Sequence, residues 1–156
     1  MAFVVKKGSE NGVDCFSLSG EIDEDANFAP MKIEEPALIV DLEGVTAINS
    51  VGIREWIRWT KTLPAGTKMV VRKCPKLIVD QINMVLGFLP PGTKIESFFV
   101  PYFNEESGTE KMVLYVNGKE FSAGKVHPPS AVLDDSGNAM EIDVVESKYF
   151  KIVANG

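Results

Sequence analysis

The stretch ALIVDLEGVTAINSVGIREWIRW, residues 37–59, decides the fold class. It begins with an apolar run of strand length, residues 37–42, which predicts a central strand covered on both faces. A helical pattern begins directly after the polar pair Asn49 and Ser50. Asn and Ser are common residues at helix N-caps. The pair can therefore serve only to start the helix, or Ser50 can be a position at which another protein acts.

The predicted helix covers residues 50–63 and is amphipathic. Its apolar stripe consists of Ile53, Trp56, Ile57, Thr60 and Leu63. The opposite face is basic and carries Arg54, Arg58 and Lys61. Because Pro64 and Gly66 follow, we expect the helix to end there. The apolar stripe predicts packing against the sheet, and the basic face is typical of a solvated surface.

The flanking segments extend this unit into a β-α series. Strands are predicted at residues 3–6, 13–22, 67–73 and 94–102, and a second helix at residues 75–88. The acidic segment DEDANFAPM after the second strand is predicted to be a short connection with one helical turn. Strands that alternate with helices indicate an α/β fold with a mixed β-sheet.

The chain changes character after Val100. Residues 101–156 contain short strand-like pieces with no helical period: MVLYV, KEFSA, MEIDVV and YFKIV. Asn117-Gly118 between the first two pieces predicts a type I′ hairpin. We therefore divide the chain into an α/β domain, residues 1–100, and a small all-β appendage, residues 101–156, which we expect to pack against that domain.

Residues 3–100 resemble the STAS domain of bacterial anti-sigma-factor antagonists and sulfate-transporter tails. The resemblance rests on LSGEID, on ALIVDLEGVTAINSVGI, and on the helix, strand and helix that follow. In that family an Asp-Ser-Ser-Gly sequence often opens the helix, and a serine kinase, itself the anti-sigma factor, phosphorylates the first serine. The resemblance implies that Asn49 stands for the Asp, Ser50 for the phosphoacceptor, Val51 for the second serine and Gly52 for the glycine.

The resemblance implies a partner-binding surface at the start of this helix. We expect it to include Asn49, Val51, Gly52, Arg54 and Trp59. Trp59 has two interpretations: it packs against a neighbouring loop, or it is an exposed aromatic anchor beside Ser50. A phosphate on Ser50 would bring negative charge to a helix N-terminus, where backbone N–H groups are unpaired.

The tail resembles a zinc ribbon that has lost its cysteines. Two turns repeat the spacing of metal-binding knuckles, with vestigial ligand positions at Asn104, Ser107, Leu133 and Ser136. A structural zinc site takes four Cys or His ligands, and the chain offers only Cys15, Cys74 and His127. We therefore expect no metal, and apolar packing in its place.

Composition limits the remaining functions. The net charge is −6, and without a basic stripe we expect no nucleic-acid partner. No apolar run approaches the roughly 20 residues that span a membrane, and two isolated cysteines are typical of a reducing compartment, so we expect a cytoplasmic protein without membrane insertion. No phosphate-binding loop or nucleophile elbow occurs, so we expect neither an enzyme nor a bound cofactor.

The leading hypothesis is a non-enzymatic protein-interaction module in bacterial signalling. Its partner would be a serine kinase or anti-sigma factor, and phosphorylation of Ser50 would modulate binding. The alternative is a scaffold protein that keeps the fold without the switch and forms a homodimer or docks through its β-rich tail. A small-molecule sensor or enzyme is the least favoured class, because it would need a well-formed pocket.

Overall fold

A computed structural model describes residues 1–155 of the chain. The first sheet contains five strands: β1 (Val4–Glu10), β2 (Val13–Ile22), β3 (Ala37–Ile48), β4 (Lys68–Arg72) and β5 (Lys94–Ile95). They lie side by side in chain order; β1 runs antiparallel to β2, and the other pairings are parallel. Two helices follow β3 and β4, namely α1 (Ser50–Thr60) and α2 (Lys76–Met84). This mixed sheet with helices confirms the predicted α/β class.

β3 is the central strand, as predicted, but it is fully buried on one face and not on both. Its side chains alternate, and those of Leu38, Val40 and Leu42 are fully buried in the core. The strand continues to Ile48, six residues beyond the predicted end, because its second half also pairs with β2. As a result β2 and β3 end side by side, with Ile22 opposite Ile48, and this places the loop after β2 next to the start of α1.

The segment between β2 and β3 contains no helix, so the predicted helical turn is wrong. Polar side chains in this segment bond to nearby backbone instead: Asp23 accepts from the N–H of Asp25, and Asn27 from that of Ala29. Such local bonds favour turns over helix. The apolar residues of the segment, Phe28 and Met31, are buried in the core.

The predicted strand over residues 94–102 is split between two sheets. The tail elements are β6 (Ser97–Asn104), β7 (Thr109–Val116), β8 (Phe121–Ser122), β9 (Lys125–Val126) and β10 (Glu141–Ile142). A second sheet has the order β10-β6-β7 with antiparallel pairings, and β8 and β9 form a separate hairpin. The proposed domain boundary at residue 100 therefore falls inside β6.

The predicted hairpin at Asn117-Gly118 is wrong. Asn117 continues the pairing of β7, since its N–H donates to the Glu96 carbonyl over 2.8 Å, and it does not have the positive φ that a type I′ turn requires. Both central residues have positive φ in two other turns: Asn11-Gly12 between β1 and β2, with φ of 51° and 79°, and Ala123-Gly124 between β8 and β9. The first hairpin lengthens β1 well beyond the predicted residues 3–6.

The end of the chain is helical, so the appendage is not all-β. Helix α3 (Glu146–Tyr149) leads into a 3₁₀ helix (Phe150–Asn155), where the sequence predicted a strand. Tyr149, Ile152 and Val153 are buried, and the Asn83 amide of α2 donates to the Tyr149 carbonyl over 2.8 Å. The tail packs against the first sheet and its helices as expected, and buried residues of both parts form one continuous hydrophobic core.

Candidate functional site

Asn49 is the N-cap of α1. Its backbone is extended, its Oδ1 accepts from the Gly52 N–H over 2.8 Å, and its carbonyl accepts from the Ile53 N–H over 2.9 Å. Its own N–H donates to the Ile22 carbonyl at the end of β2 over 3.2 Å. One residue therefore accepts hydrogen bonds from two N–H groups at the start of the helix and also joins that start to the sheet.

Ser50 is exposed and does not take part in capping. Nothing in the described part of the chain hydrogen-bonds its hydroxyl. The N–H groups of Ser50 and Val51 precede the first intrahelical bond and point out of the helix start. Of the two roles that the sequence allowed for the pair, capping belongs to Asn49, and the hydroxyl of Ser50 remains available.

Gly52 is buried, which removes it from the expected partner-binding surface. A Cβ atom at this position would lie 1.9 Å from the carbonyl oxygen of Ile22. The helix start therefore approaches the end of β2 more closely than any other residue would allow. The glycine sets the position of the site and is not part of its surface.

Glu24 is the residue of this site that the sequence reasoning missed. Its Oε2 accepts from Asn49 Nδ2 over 3.0 Å, so an exposed carboxylate lies beside the N-cap. Its own backbone N–H and the Asn49 amide hold the pKa of Glu24 below its ordinary value. When two neighbouring parallel strands end at the same edge of a sheet, the residues that follow them lie close together. Applied to β2 and β3, this rule would have predicted that the loop containing Glu24 lies beside Asn49.

The remaining members of the expected surface differ in exposure. Arg54 lies one turn after Ser50, is exposed, and forms a 3.5 Å ion pair with Glu55. Val51 is half-buried. Glu55 also contacts Arg58 at 3.2 Å, so two of the three basic residues of this face share one carboxylate. The exposed part of the site thus consists of Asn49, Ser50 and Arg54, with Glu24 added beside the cap.

Trp59 packs against a neighbouring loop, and the alternative of an exposed anchor is wrong. The residue is only 8% exposed. Its indole N–H donates to the Met31 carbonyl over 3.3 Å, and its ring stacks on Phe28 with 6.0 Å between centroids. The loop before β3 covers this flank of α1, and no sequence period marks that loop as part of the core.

The two turns that resemble metal knuckles lie against each other. Ser107 Oγ lies 3.2 Å from Asp134 Oδ2, and Asn104 Oδ1 accepts from the Ser107 N–H over 2.9 Å. Leu133 is half-exposed, and Ser136 contributes its backbone N–H, which donates to Asp134. Two of the four positions therefore meet at Asp134, which the sequence reasoning did not select. The zinc-ribbon ancestry of the tail stays a prediction.

Asp134 is the centre of this polar cluster. Backbone N–H groups of Asn138 and Ser136 donate to its Oδ1 over 2.8 and 2.9 Å. The Asn138 backbone contributes most to holding the pKa of Asp134 below its ordinary value, with smaller contributions from the Asn138 amide and Ser107. The cluster joins the β6–β7 turn to the turn at residues 133–139 by hydrogen bonds. In the tail, the side chains of Phe103 and Leu114 are half-exposed.

Three further features bear on chemistry. Over residues 1–155, no group of three or more His, Cys, Asp or Glu side chains could hold a metal ion, and no helix is long and apolar enough to cross a membrane. His127 Nε2 lies 3.4 Å from Ser122 Oγ on an exposed hairpin, longer than an ordinary hydroxyl hydrogen bond. A cleft of about 790 Å³ is lined by the end of α2 and the loop after it.

The fold and site define an α/β protein with an exposed serine at the start of a capped helix. No family model matches the chain, and no curated protein matches it. A solved structure of an anti-sigma factor antagonist from Mycobacterium paratuberculosis is 28% identical to it. That match covers 46% of this chain and 68% of the other chain, with a TM-score of 0.37.

Proposed function

We propose that this protein is a non-enzymatic interaction module in bacterial signalling, and that the start of α1 is its partner-binding surface. The observation that carries the proposal is the separation of roles between Asn49 and Ser50. Asn49 makes the side-chain capping bond of α1, and no hydrogen bond to the exposed hydroxyl of Ser50 occurs in the described chain, so this hydroxyl has no structural task there. The STAS resemblance of residues 3–100 supports a role of that hydroxyl as a phosphoacceptor.

A phosphate on Ser50 would change the surface without unfolding it. It adds about −1.5 to −2 charges and three acceptor oxygens. The unpaired N–H groups of Ser50 and Val51 lie in the first turn, where an anion is stabilised, and the exposed Arg54 follows one turn later. The Glu24 carboxylate beside Asn49 would repel the negative charge of the phosphate. The modification would turn a nearly neutral docking surface into a negative one.

The proposed partner is a serine kinase or anti-sigma factor. In the family a carboxylate precedes the phosphoacceptor serine, and here Asn49 occupies that place. The Glu24 carboxylate accepts from the Asn49 amide over 3.0 Å, so an acid lies beside the residue that occupies the place of the family's Asp. A kinase that reads an acid next to a serine therefore has a carboxylate to read, supplied from another loop.

The test is capture of partners from host lysate with wild-type, Ser50→Ala and Ser50→Asp proteins. We expect Ser50→Ala to retain a kinase-class partner and Ser50→Asp to lose it, with equal melting temperatures. Ser17→Asp is a matched control, because Ser17 is exposed on β2 and the variant carries the same added charge far from the site. The proposal is wrong if Ser50→Asp and Ser17→Asp retain the same partners as wild type.

A scaffold protein that self-associates through its tail is the second candidate. A half-exposed apolar edge strand in the second sheet favours it. Unchanged capture by Ser50→Asp, together with a dimeric protein, would support this candidate over the first.

A further inference from the structure

β7 is an edge strand with an unusually open outer side. It is eight residues long, it pairs with β6 in an unbroken register, and no other described strand pairs with it. It contains neither Pro nor a bulge, two of the features that protect such edges. Its sequence TEKMVLYV is rich in residues that favour strands. An edge of this kind is a template for another strand.

The hydrogen bonds of β7 show which of its backbone groups point outward. The Asn117 N–H donates to the Glu96 carbonyl across the β6–β7 pair, so in an antiparallel ladder the odd-numbered residues of β7 face β6. The backbone groups of Glu110, Met112 and Leu114 therefore point away from the sheet. Within the described residues these outward groups have no hydrogen-bond partner.

Val116, the next outward residue, is already occupied. Its N–H donates to Glu120 Oε1 over 3.1 Å, and its carbonyl accepts from the N–H groups of Lys119 and Glu120 over 3.0 and 3.1 Å. The turn after β7 thus closes the edge at one end. The open part of the edge is limited to three outward positions, centred on Met112.

The other sheet edges are short or charged. β5 and β10 have two residues each. β1 has seven residues and carries two adjacent lysines, Lys6 and Lys7, and such charges protect an edge. β7 also carries charges, at Glu110 and Lys111, but the three residues after them, 112–114, are apolar. Among the described strands, β7 alone offers a long edge with an apolar centre.

The side chains around Met112 form an apolar strip outside the hydrophobic core. Met112 is 46% exposed, and Leu114 is half-exposed on the same face of the sheet. Their cross-strand partners on β6 are Pro101 and Phe99, which are also half-exposed. None of the four belongs to the core cluster, which lies on the other face of this sheet.

We propose that β7 pairs antiparallel with β7 of a second copy of this chain, about a two-fold axis at Met112. In this register Met112 lies opposite its own copy, and Glu110 lies opposite Leu114 of the second copy. All three outward residues of each strand then form hydrogen-bonded pairs with the other strand. Each pair exchanges two N–H···O bonds, which gives six hydrogen bonds. A register centred one residue away, at Lys111 or Val113, leaves an outward residue unpaired at each end.

Charge and space favour the same register. Pairing centred on Lys111 would place two ammonium groups directly opposite each other, which destabilises a sheet. Pairing centred on Met112 places Lys111 opposite Val113. It also places Gly108 of the second copy opposite Val116. Gly108 has no side chain, so it leaves space for the turn that bonds to the backbone of Val116. The joined sheets would have six strands and one apolar strip, and Ser50 takes no part in this pairing.

Disulfide trapping tests the register directly. With Met112→Cys, the two introduced residues face each other with Cα atoms about 5.5 Å apart, within the range of about 4.4–6.8 Å that a disulfide allows. With Glu110→Cys, the two residues are four positions out of register, roughly 14 Å apart. We expect mild oxidation to cross-link Met112→Cys and leave Glu110→Cys monomeric. The native Cys15 and Cys74 are buried and do not interfere.

Sedimentation equilibrium tests the dimer itself. We expect wild-type protein to double its mass from 17.1 kDa as concentration rises, and Met112→Pro to remain a monomer. The Met112 N–H points outward, so Pro at this position removes no bond to β6. Met112→Lys is a second variant that keeps the backbone and opposes two charges at the axis. The proposal is overturned if wild type is monomeric at all concentrations, if both folded variants dimerise, or if Glu110→Cys cross-links as readily as Met112→Cys.

Discussion

Replacing Gly52 by alanine tests the contact that positions the candidate site. At an exposed helical position, Gly→Ala stabilises a protein by about 1 kcal/mol, because alanine has the higher helix propensity. At Gly52 the new Cβ would lie 1.9 Å from the Ile22 carbonyl oxygen and 2.5 Å from its carbon. Both atoms are backbone in the last residue of β2, so no side chain can rotate away from the clash.

The magnitude follows from the shift that relieves this clash. To restore a contact of about 3.4 Å, the start of α1 must move roughly 1.5 Å away from β2. Overpacking of this kind costs about 1–3 kcal/mol. The move also strains the bond from the Asn49 N–H to Ile22 and the cap itself, at about 1 kcal/mol. After the gain in helix propensity, we expect a net destabilisation of about 2 kcal/mol and a melting temperature lower by about 4–8 °C.

Urea unfolding of Gly52→Ala and of a matched control measures the change in the free energy of unfolding. Gly8 on β1 is the control, because a Cβ there meets its nearest atom, the Cys15 carbonyl oxygen, at an ordinary 3.9 Å. Gly8→Ala should change the free energy of unfolding by less than about 1 kcal/mol. If Gly52→Ala proves as stable as wild type or more stable, the close approach of α1 to β2 is wrong, and the geometry of the Ser50 site with it.

Three further predictions concern the cap, the tail cluster and the thiols. Asn49→Ala should lower the free energy of unfolding by about 1 kcal/mol in urea melts, because Asn49 alone caps α1. Ser50→Ala should lower it by less than about 0.5 kcal/mol, and equal losses would contradict this assignment. Asp134→Asn should be less stable than wild type at neutral pH. Because hydrogen bonds lower the pKa of Asp134, their stabilisation is present above the unfolded-state pKa of about 3.9 and is lost as pH falls through the lower folded-state pKa. Urea melts across that range should show the two proteins converge in acid, and a constant difference would refute the role of the carboxylate. Burial raises the thiol pKa of Cys15 and of Cys74, so both should react slowly with a disulfide reagent until the protein unfolds, Cys74 the more slowly; fast native labelling of Cys74 would show that α2 opens readily.

The first sheet and its two helices were predictable because each element is long enough to show its period. β2 alternates over ten residues, and α1 places Trp56 and Thr60 on one buried face. The C-terminal helix was missed for the opposite reason. Tyr149, Ile152 and Val153 have helical spacing, but five apolar-rich residues fit a strand equally well, and only packing against α2 decides between the two structures.

The candidate site was predictable only in part, because its position depends on contacts between distant segments. The pair Asn49 and Ser50 was found from the strand-to-helix junction. Their separate roles depend on one bond, from the Gly52 N–H to Asn49 Oδ1, and either residue could have accepted it. The burial of Trp59 depends on the loop before β3, whose conformation is set by turns and not by a period. Glu24 enters the site because β2 and β3 end together.

The close contact between Gly52 and Ile22 links the stability of the fold to the accessibility of Ser50. The helix start is fixed at two points, by the Asn49 N–H on the Ile22 carbonyl and by the absence of a side chain at Gly52. Movement of the first turn of α1 along β2 would break the bond between Asn49 and Ile22, and this favours one position of Ser50. A partner that docks there meets a rigid surface and loses little conformational entropy on ordering it. If the contact between α1 and Ile22 were weaker, the same residues would be exposed, but the protein would bind its partner less tightly. We therefore expect Gly52→Ala to weaken partner capture even in the fraction of protein that remains folded.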